Sequence, residues 1–278
     1  MKYFIDTEFL EGTQKKLFGN TKPTIDLISI GIVSEDGREY YAISKDFNLK
    51  ETWNRFELKP NEKLSGISPE YRMKTLYDSC RNKGLEYIKE YWIRDNVCKN
   101  LFNNEKYNYY SEIKTFKEFK RLINRFGKSN KQIAEDIIEF CKEIEGEGTK
   151  VIEYTLPYTK VYIGKENEYI QGTSKQIILG GRTKPEFYGY YSDYDWVVFC
   201  WLFGKMIDLP KGFPMYCRDL KQHIDEILRR PVIGGSIFGY KNIDDLKNDY
   251  NYPKQTNEHN ALSDARWNKK LYEFLNTL

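Results

Sequence analysis

The chain has 278 residues, of which 40% are hydrophobic and 31% charged, so it can bury a core beneath a hydrophilic surface. Its formal net charge of +3 does not indicate a polyanionic partner, and its longest fully apolar run, Trp196–Phe203, is too short to span a membrane. Five cysteines without CxxC spacing argue against a structural zinc site, and with no secretory signal pattern they predict a cytoplasmic protein.

The first 44 residues predict three strands. Residues 2–6 form a short apolar segment, and Ile25–Val33 and Arg38–Ser44 are two longer apolar runs. Glu35-Asp36-Gly37 joins the latter two, and Asp-Gly between strand-like runs predicts a tight hairpin. We therefore expect a loop over Gly12–Pro23, between the first strand and this hairpin.

The middle of the chain predicts amphipathic helices over Ser68–Leu101, Lys114–Phe126 and Lys131–Ile144. In the second of these, Phe116, Phe119 and Phe126 recur at helical spacing, which indicates core packing. Cations lie between these aromatic residues: Lys114, Lys117, Lys120, Arg121, Arg125, Lys128 and Lys131. These cations form either a solvated helix face or a surface patch that binds the phosphates of a nucleic acid strand.

The remaining segments alternate between strand and helix patterns. Strands are predicted over Val151–Tyr154, Lys160–Ile163, Gln176–Leu179 and Glu186–Tyr191, and helices over Tyr194–Lys205, Leu220–Arg229 and Ala261–Leu275. No internal repeat or low-complexity linker divides the chain. We therefore predict one α/β domain over residues 1–278, with a helical insertion at 61–129 and a β insertion at 148–182.

Two carboxylates stand one residue apart at the end of the first predicted strand. Asp6 and Glu8 flank Thr7, so on extended backbone both side chains point to the same face. Such a pair is mutually repulsive unless a cation lies between, although an exposed strand end is the simpler alternative. Phe9 and Leu10 follow, either as core residues or as an apolar wedge against a nucleobase.

A third acidic candidate, Asp195, opens an apolar helix. Ser192 precedes it by three residues, and Ser followed by an acid at that spacing is also typical of a helix cap. Asp193 is an alternative ligand, although its neighbour Ser192 favours a local turn role for it.

The chain contains two histidines, His223 and His259. His223 lies inside an amphipathic helix and is interpreted as structural. His259 precedes the last helix and follows a long loop, a placement that suits a base reaching a water molecule near neutral pH. Asp264 lies in the first turn of that helix, where Ala261 and Ala265 would allow a close approach to the sheet.

Three acidic motifs follow one another along the chain: Asp6-Thr7-Glu8, Tyr194-Asp195, and His259 with Asp264. Their order resembles the DEDDh exonuclease superfamily. The segments FIDTEF, DLISIGIVSEDGREYYAIS, PEFYGYYSDYDW and GFPMYCRDLKQ are more specifically similar to the mycobacterial-type 3′-5′ exoribonucleases. The resemblance covers roughly residues 1–60 and 130–278, and leaves 61–129 and 148–182 unmatched.

This resemblance implies a ribonuclease H-like fold, a mixed five-stranded sheet flanked by helices. It also implies two Mg²⁺ or Mn²⁺ ions held by Asp6, Glu8, Asp195 and Asp264, with His259 as the general base. Thr7, Phe9 and Leu10 are expected beside the substrate.

The implied activity is 3′→5′ hydrolysis of RNA, with single-stranded 3′ ends as substrate and nucleoside 5′-monophosphates as products. A DNA exonuclease and a nuclease for short oligonucleotides share the same motifs, so both remain alternatives. A non-catalytic RNA-binding module is an alternative of another class, although the full set of catalytic-type residues argues against it. No membrane partner is expected, and the oligomeric state is open, a homodimer included.

Overall fold

The computed structural model describes most of the chain, in several stretches. The described residues are 1–15, 18–60, 87–103, 107, 113–142, 151–155, 159–163, 166–170, 173–177, 184–229, 240 and 242–278. In chain order the elements are β1 (Lys2–Gly12), β2 (Thr24–Ser34), β3 (Glu39–Ile43), α1 (Leu49–Asn54), β4 (Glu57–Pro60), β5 (Tyr87–Glu90), a π-helical turn (Ile93–Cys98), α2 (Phe116–Phe126), α3 (Asn130–Phe140), β6 (Val151–Thr155), β7 (Thr159–Ile163), β8 (Glu166–Ile170), β9 (Thr173–Ile177), β10 (Glu186–Gly189), α4 (Asp193–Leu202), a 3₁₀ turn (Met206–Asp208), β11 (Arg218–Asp219), α5 (Leu220–Arg229), α6 (Ile243–Lys247) and α7 (Ala261–Leu275).

The main sheet has five strands in the order β11-β10-β1-β2-β3. The strands β1, β2 and β3 are antiparallel neighbours, whereas β10 runs parallel to β1 and β11 parallel to β10. Helices cover both faces, so the predicted fold class, a mixed α/β sheet consistent with a ribonuclease H-like fold, is confirmed. The Asp-Gly hairpin is also confirmed, with Gly37 at a φ of 91° in its turn.

The first strand is longer than predicted. It continues to Gly12, which pairs with Thr24 of β2, so Asp6 and Glu8 lie in the middle of a strand and not at its end. The pairing with β2 shifts register between Glu8 and Phe9. A bulge of this kind bends a strand and redirects its side chains, and bulges are common beside active sites.

The last helix packs directly against the sheet at Gly31. A Cβ atom there would lie 2.2 Å from the Ala261 carbonyl oxygen, so any larger residue would push α7 away. Ala261 and Ala265 are fully buried in the same core, which confirms the close approach predicted from their small size. The buried amide of Asn268 fixes the middle of α7 by donating to the Ile5 carbonyl at 2.9 Å.

Several helices and strands confirm the sequence predictions, but the helix over Ser68–Leu101 is only partly confirmed where the structure describes it. Residues 87–90 pair with β4 as a strand, and a π-helical turn follows at Ile93–Cys98. Positions 68–86 lie outside the described residues. In the second insertion β6 pairs with β9 and β7 with β8, which includes one strand that the sequence pattern did not predict. The short helix α6 was also missed.

The basic helix α2 places its aromatic residues inward, as predicted. Phe119 is fully buried and Phe116 packs against the same core, whereas Lys117, Lys120 and Arg121 are exposed. Within the described part of the chain, no helix combines the length and apolar character that crossing a membrane requires.

Candidate active site

Three carboxylates from β1 and α7 meet where these two elements touch. Asp6 and Glu8 are two residues apart on β1, so their side chains point to the same face of the sheet. Asp264 lies in the first turn of α7. One oxygen from each of the three lies within 4.8 Å of the others. Because Asp6 pairs with Gly31, the close approach of α7 at that glycine brings Asp264 to the cluster.

The fourth carboxylate, Asp195, reaches β1 from the first turn of α4. Its Oδ1 accepts the Thr7 backbone N–H at 2.8 Å and the Thr7 hydroxyl at 2.6 Å. Thr7 is buried, so the structure places its side chain on Asp195 and not on an open surface. Thr7, the residue between Asp6 and Glu8, therefore holds the Asp195 carboxylate next to this part of β1.

The alternatives for the helix start are resolved by these contacts. Ser192 occupies the N-cap of α4, but among the described residues its side chain accepts no capping hydrogen bond. Asp193 is exposed, whereas Asp195 is only 7% exposed and faces the other carboxylates. The helix-cap interpretation of Asp195 therefore does not describe this site.

Burial and mutual repulsion make the cluster unfavourable in its fully ionised form. Burial, reinforced by the Asp195, Glu8 and Asp264 carboxylates, holds the pKa of Asp6 well above its usual range. The same two causes, burial first, raise the pKa of Glu8 to about 8. The charges that act on Asp6 and Glu8 from the described residues are all carboxylates, so no protein cation offsets them.

Hydrogen bonds moderate the shift at the other two acids. Burial raises the pKa of Asp195 to about 6, although the two bonds from Thr7 act in the opposite direction. Burial also raises the pKa of Asp264, while the Gln255 amide and the His259 backbone N–H lower it. Carboxylate oxygens, with no thiol or imidazole among them, are the kind of group that hard divalent cations such as Mg²⁺ and Mn²⁺ prefer.

His259 lies on irregular backbone directly before α7. Its φ is 66°, a left-handed value that non-glycine residues seldom adopt, and Asn257 has a φ of 53°. The loop is tied to the cluster through Asp264, whose Oδ2 accepts the His259 backbone N–H at 2.9 Å and whose Oδ1 accepts the Gln255 amide at 2.6 Å. The His259 ring thus stands beside the acids with its backbone anchored to one of them.

The second histidine belongs to another part of the surface. His223 lines a cleft with Tyr188 and Tyr216 on α5 and the neighbouring strands. Its half-buried position on α5 agrees with the structural interpretation of the sequence.

The two apolar residues after Glu8 have different surroundings. Leu10 is fully buried in the core beneath α7, so it has no free surface for a nucleobase, and its expected place beside the substrate needs correction. The reason is the continuation of β1, which keeps Leu10 paired within the sheet. Phe9 is partly exposed and meets Tyr194 edge-on, with ring centroids 5.8 Å apart.

A cleft of about 470 Å³ opens beside Glu8 and Phe9. Its other walls come from the segments around Phe56 and Trp92, which the sequence analysis did not connect with the site. The Trp92 ring also lies against His259, with centroids 4.8 Å apart and planes at 73°. Gly31 was missed as well, although a glycine inside an apolar strand indicates a close backbone approach.

Comparison with known proteins shows similarity over part of the chain. No protein-family profile matches the chain. Two curated proteins from two strains of Mycobacterium tuberculosis, each named a 3′-5′ exoribonuclease, are 47% identical to the chain over 62 residues. The match covers 22% of this chain and 32% of each relative, so the chain spans about a third of the length of the curated relatives it matches. The similarity therefore concerns one segment.

Proposed function

We propose that the protein is a divalent-cation-dependent 3′→5′ exoribonuclease of the DEDDh type. The observation that carries this proposal is the convergence of Asp6, Glu8 and Asp264 within 4.8 Å, where the described residues that act on the pKa of Asp6 and Glu8 are carboxylates. Asp195 is held beside them by Thr7. The partial similarity to two proteins named 3′-5′ exoribonucleases supports the choice of reaction.

The four carboxylates would hold two Mg²⁺ or Mn²⁺ ions, which in such sites activate a water molecule and stabilise the leaving oxygen. His259 accepts the proton of the attacking water. The water oxygen bonds to the phosphorus of the last phosphodiester, the bond from phosphorus to the 3′ oxygen breaks, and that oxygen takes up a proton. The product is the nucleoside 5′-monophosphate of the terminal residue.

The positions of the residues suit this division of roles. The carboxylates belong to β1, α4 and α7, whose packing fixes them. The pKa of Asp6 is raised by burial and by all three of the other carboxylates. His259 is not among the three grouped acids, and its backbone N–H donates to Asp264. A base in that position can receive a proton without also serving as a cation ligand.

A 3′→5′ DNA exonuclease or a nuclease for short oligonucleotides is the second candidate, because the same four acids and histidine serve both. The natural discriminator is recognition of the 2′-hydroxyl. A time course on 5′-labelled RNA and on DNA of the same sequence, each with Mg²⁺, Mn²⁺ or EDTA, separates the candidates. The proposal expects a ladder of shortened RNA, slower loss of DNA, and no reaction with EDTA.

A circular form of the same RNA supplies the control for polarity. An enzyme that needs a free 3′ end leaves the circle intact while it shortens the linear form. Cleavage of the circle at a similar rate would indicate an endonuclease and would overturn the proposed polarity. Faster degradation of DNA than of RNA would favour the second candidate.

A further inference from the structure

The segment that contains the helix α2 carries an unbalanced positive charge. Residues 114–131 include seven lysine and arginine residues and a single acid, a net charge of +6 in a chain whose formal net charge is +3. Subtracting this segment leaves the rest of the chain at −3. A surface that serves only solubility mixes both signs of charge, so a segment of one sign indicates a partner of the opposite sign.

The cations of α2 lie on the side of the helix that faces solvent. The opposite side packs into the core through Phe119, which is fully buried. Four exposed cations form what we call the basic face: Lys117, Lys120, Arg121 and Arg125. Three of them follow one another at intervals of four residues, so their charges are about 6 Å apart along the helix.

The basic face has no ionic partner among the described residues. The nearby Lys128 forms an ion pair with Asp136, whereas the four members of the basic face form no ion pair in the part of the chain that the structure describes. The one acid of α2, Glu118, accepts the Lys114 backbone N–H at 3.1 Å, at the start of the helix. The charges of the basic face are therefore open to a ligand.

The next helix, α3, shows a different arrangement of charge. There Lys131 and Glu135 form an i, i+4 ion pair, and Glu139 pairs with Lys142. Alternation of both signs in this way is typical of a solvated helix face. Because α2 lacks such pairs, solvation alone does not explain its composition.

The basic face is presented by a firmly held helix. The Phe119 ring stacks on Trp53 of α1, with ring centroids 5.1 Å apart. Directly after α2, the Lys128 backbone N–H donates to the carbonyl of Ile43, the last residue of β3, at 2.9 Å. The four cations thus stand on a fixed support, which lowers the entropy lost when a ligand binds.

The helix α1 separates the basic face from the acids. Trp53 of α1 contacts α2, and Arg55, which follows α1, lines the cleft beside Glu8. Packed helices lie about 8–10 Å apart, so the basic face is on the order of 20 Å from the acids. A dinucleotide or trinucleotide bound at the acids does not reach it, whereas a long strand does.

We infer that the basic face binds the phosphate backbone of RNA at a point remote from the 3′ end that is cleaved. Lysine and arginine side chains bind phosphates irrespective of base sequence, with release of condensed counterions. The choice of RNA as the polyanion rests on the proposed function. A long substrate is then held at two places and a very short one at the acids alone.

Binding of a circular RNA in EDTA isolates the basic face, because the circle has no 3′ end and the acids are without divalent cations. The basic-face variant combines Lys117→Gln, Lys120→Gln, Arg121→Gln and Arg125→Gln. Affinity is measured by fluorescence anisotropy over a series of salt concentrations. Each phosphate contact to a single strand adds about 0.7 to the slope of log affinity against log salt, so the variant should lose up to about 3 units of slope.

The affinity of the basic-face variant at about 0.1 M salt should be at least roughly 10-fold weaker than that of the wild type. Arg121→Gln alone should lose roughly a quarter of the slope that the fourfold change removes. Melting temperatures should match the wild type, since the replaced side chains are exposed. An unchanged slope in both variants would overturn the inference.

A matched control removes four exposed lysines outside α2: Lys22→Gln, Lys205→Gln, Lys211→Gln and Lys270→Gln. It has the same net charge as the basic-face variant, so it reports any effect of overall charge. The control should keep the wild-type affinity and slope. Equal weakening of the two variants would assign binding to overall charge and overturn the inference.

Turnover on linear RNA of two lengths gives a second readout. For a strand as long as the circle, the basic-face variant should raise KM roughly 10-fold with kcat unchanged. Turnover of a trinucleotide should be little changed, because that substrate does not reach α2. An equal loss on both lengths would mean that α2 supports the active site and does not bind RNA.

These outcomes are distinct from failure of the proposed function. If the wild type shortens no RNA yet binds the circle through the four cations, this inference stands and the proposed reaction is wrong. If it shortens RNA and binds the circle without help from them, the reaction stands and this inference is wrong. Binding of the basic face to phosphatidylserine vesicles and not to the circle would identify a lipid surface as the partner and overturn the inference.

Discussion

The acidic cluster and the histidine loop are built from different kinds of structure. Asp6 and Glu8 belong to a central strand, and Asp195 and Asp264 lie in the first turns of packed helices. His259 instead follows an irregular loop and has a left-handed φ of 66°. The packed elements hold the acids where mutual repulsion is strong, whereas His259 is held at the site by its contacts with Asp264 and Trp92.

This contrast separates what each part contributes. The tertiary packing maintains the repulsion among the acids, and in the proposed function it keeps their oxygens in place for divalent cations. In the proposed function the loop contributes the proton acceptor, His259, whose backbone is held by a hydrogen bond to Asp264. Changes in the cluster should therefore alter cation binding and charge, and changes in the loop should alter the chemical step alone.

The largest effect is expected at Asp6. Asp6→Asn should lower the rate by several orders of magnitude, because that carboxylate lies at the centre of the cluster. Thermal unfolding without divalent cations should show equal or greater stability, since the amide removes one repelling charge. Asp193→Asn, an exposed acid on the same helix as Asp195, is the control and should stay within a few-fold of the wild type.

Strong destabilisation of Asp6→Asn in EDTA would contradict this account of the cluster. It would mean that Asp6 supports the fold and that its loss of activity follows from unfolding.

The next effect concerns His259. His259→Ala should lose on the order of 10²- to 10⁴-fold in rate, the usual contribution of a general base, with unchanged Mn²⁺ affinity. His223→Ala is the matched control and should remain within a few-fold of the wild type. Rates should be measured by single turnover on a short RNA and Mn²⁺ affinity by calorimetry. A reversed result for the two histidines would assign the base to the wrong residue.

Gly31 offers a way to disturb the cluster without touching any of its acids. In Gly31→Ala the new Cβ atom would collide with the Ala261 carbonyl, so α7 must move and carry Asp264 with it. We expect a loss of about 1–3 kcal/mol in the free energy of unfolding, the usual cost of overpacking, and a weaker Mn²⁺ affinity. Gly37→Asn is the control: its positive φ strains any side chain and lowers stability, but it lies in an exposed turn away from α7, so Mn²⁺ affinity should be unchanged.

Normal Mn²⁺ affinity in Gly31→Ala would show that the cluster tolerates displacement of α7. The packing of α7 against Gly31 would then not be what positions Asp264 beside the other acids.

The smallest effect is a pH dependence of stability in the cation-free protein. The pKa of Glu8 is raised to about 8 and that of Asp195 to about 6. A carboxyl group whose pKa is raised by folding stabilises the protein below its unfolded pKa, and that stability is lost as pH rises through the folded value. The melting temperature in EDTA should therefore fall between about pH 4 and pH 8.

Glu8→Gln should flatten the upper part of this decline, and Glu57→Gln, an exposed carboxylate at the rim of the cleft, should not. Added Mg²⁺ should raise the melting temperature most at the alkaline end. A melting temperature that rises with pH across this window would show that the acids are not mutually repulsive.

The sequence predicted those parts of the fold that depend on local pattern. The hairpin at Asp36-Gly37 and the helix Ala261–Leu275 follow from turn chemistry and from apolar periodicity, and both are confirmed. The continuation of β1 to Gly12 was missed because it depends on pairing with β2, a long-range contact. The strand at 87–90 was missed for the same reason, since its partner is the distant β4.

The order and spacing of the acids made them candidates from sequence, and the structure brings Asp6, Glu8 and Asp264 within 4.8 Å of one another, with Asp195 bonded to Thr7 between them in the chain. Their partners were not found, because a contact such as Thr7 with Asp195 joins residues far apart in the chain. Trp92 had no signal of its own, since one aromatic residue among 23 tyrosines, 16 phenylalanines and 5 tryptophans does not stand out. Its connection with the candidate active site is visible only in the structure, where its ring lies against His259.

Titration of Mn²⁺ into the chelator-treated protein tests the central claim most directly. The account predicts about two ions bound per chain in the wild type, and the loss of at least one of them in Asp6→Asn. RNA shortening should return in proportion to the ions bound. Full activity after exhaustive chelation, or Mn²⁺ binding that Asp6→Asn leaves unchanged, would contradict the assignment of these carboxylates to a cation site.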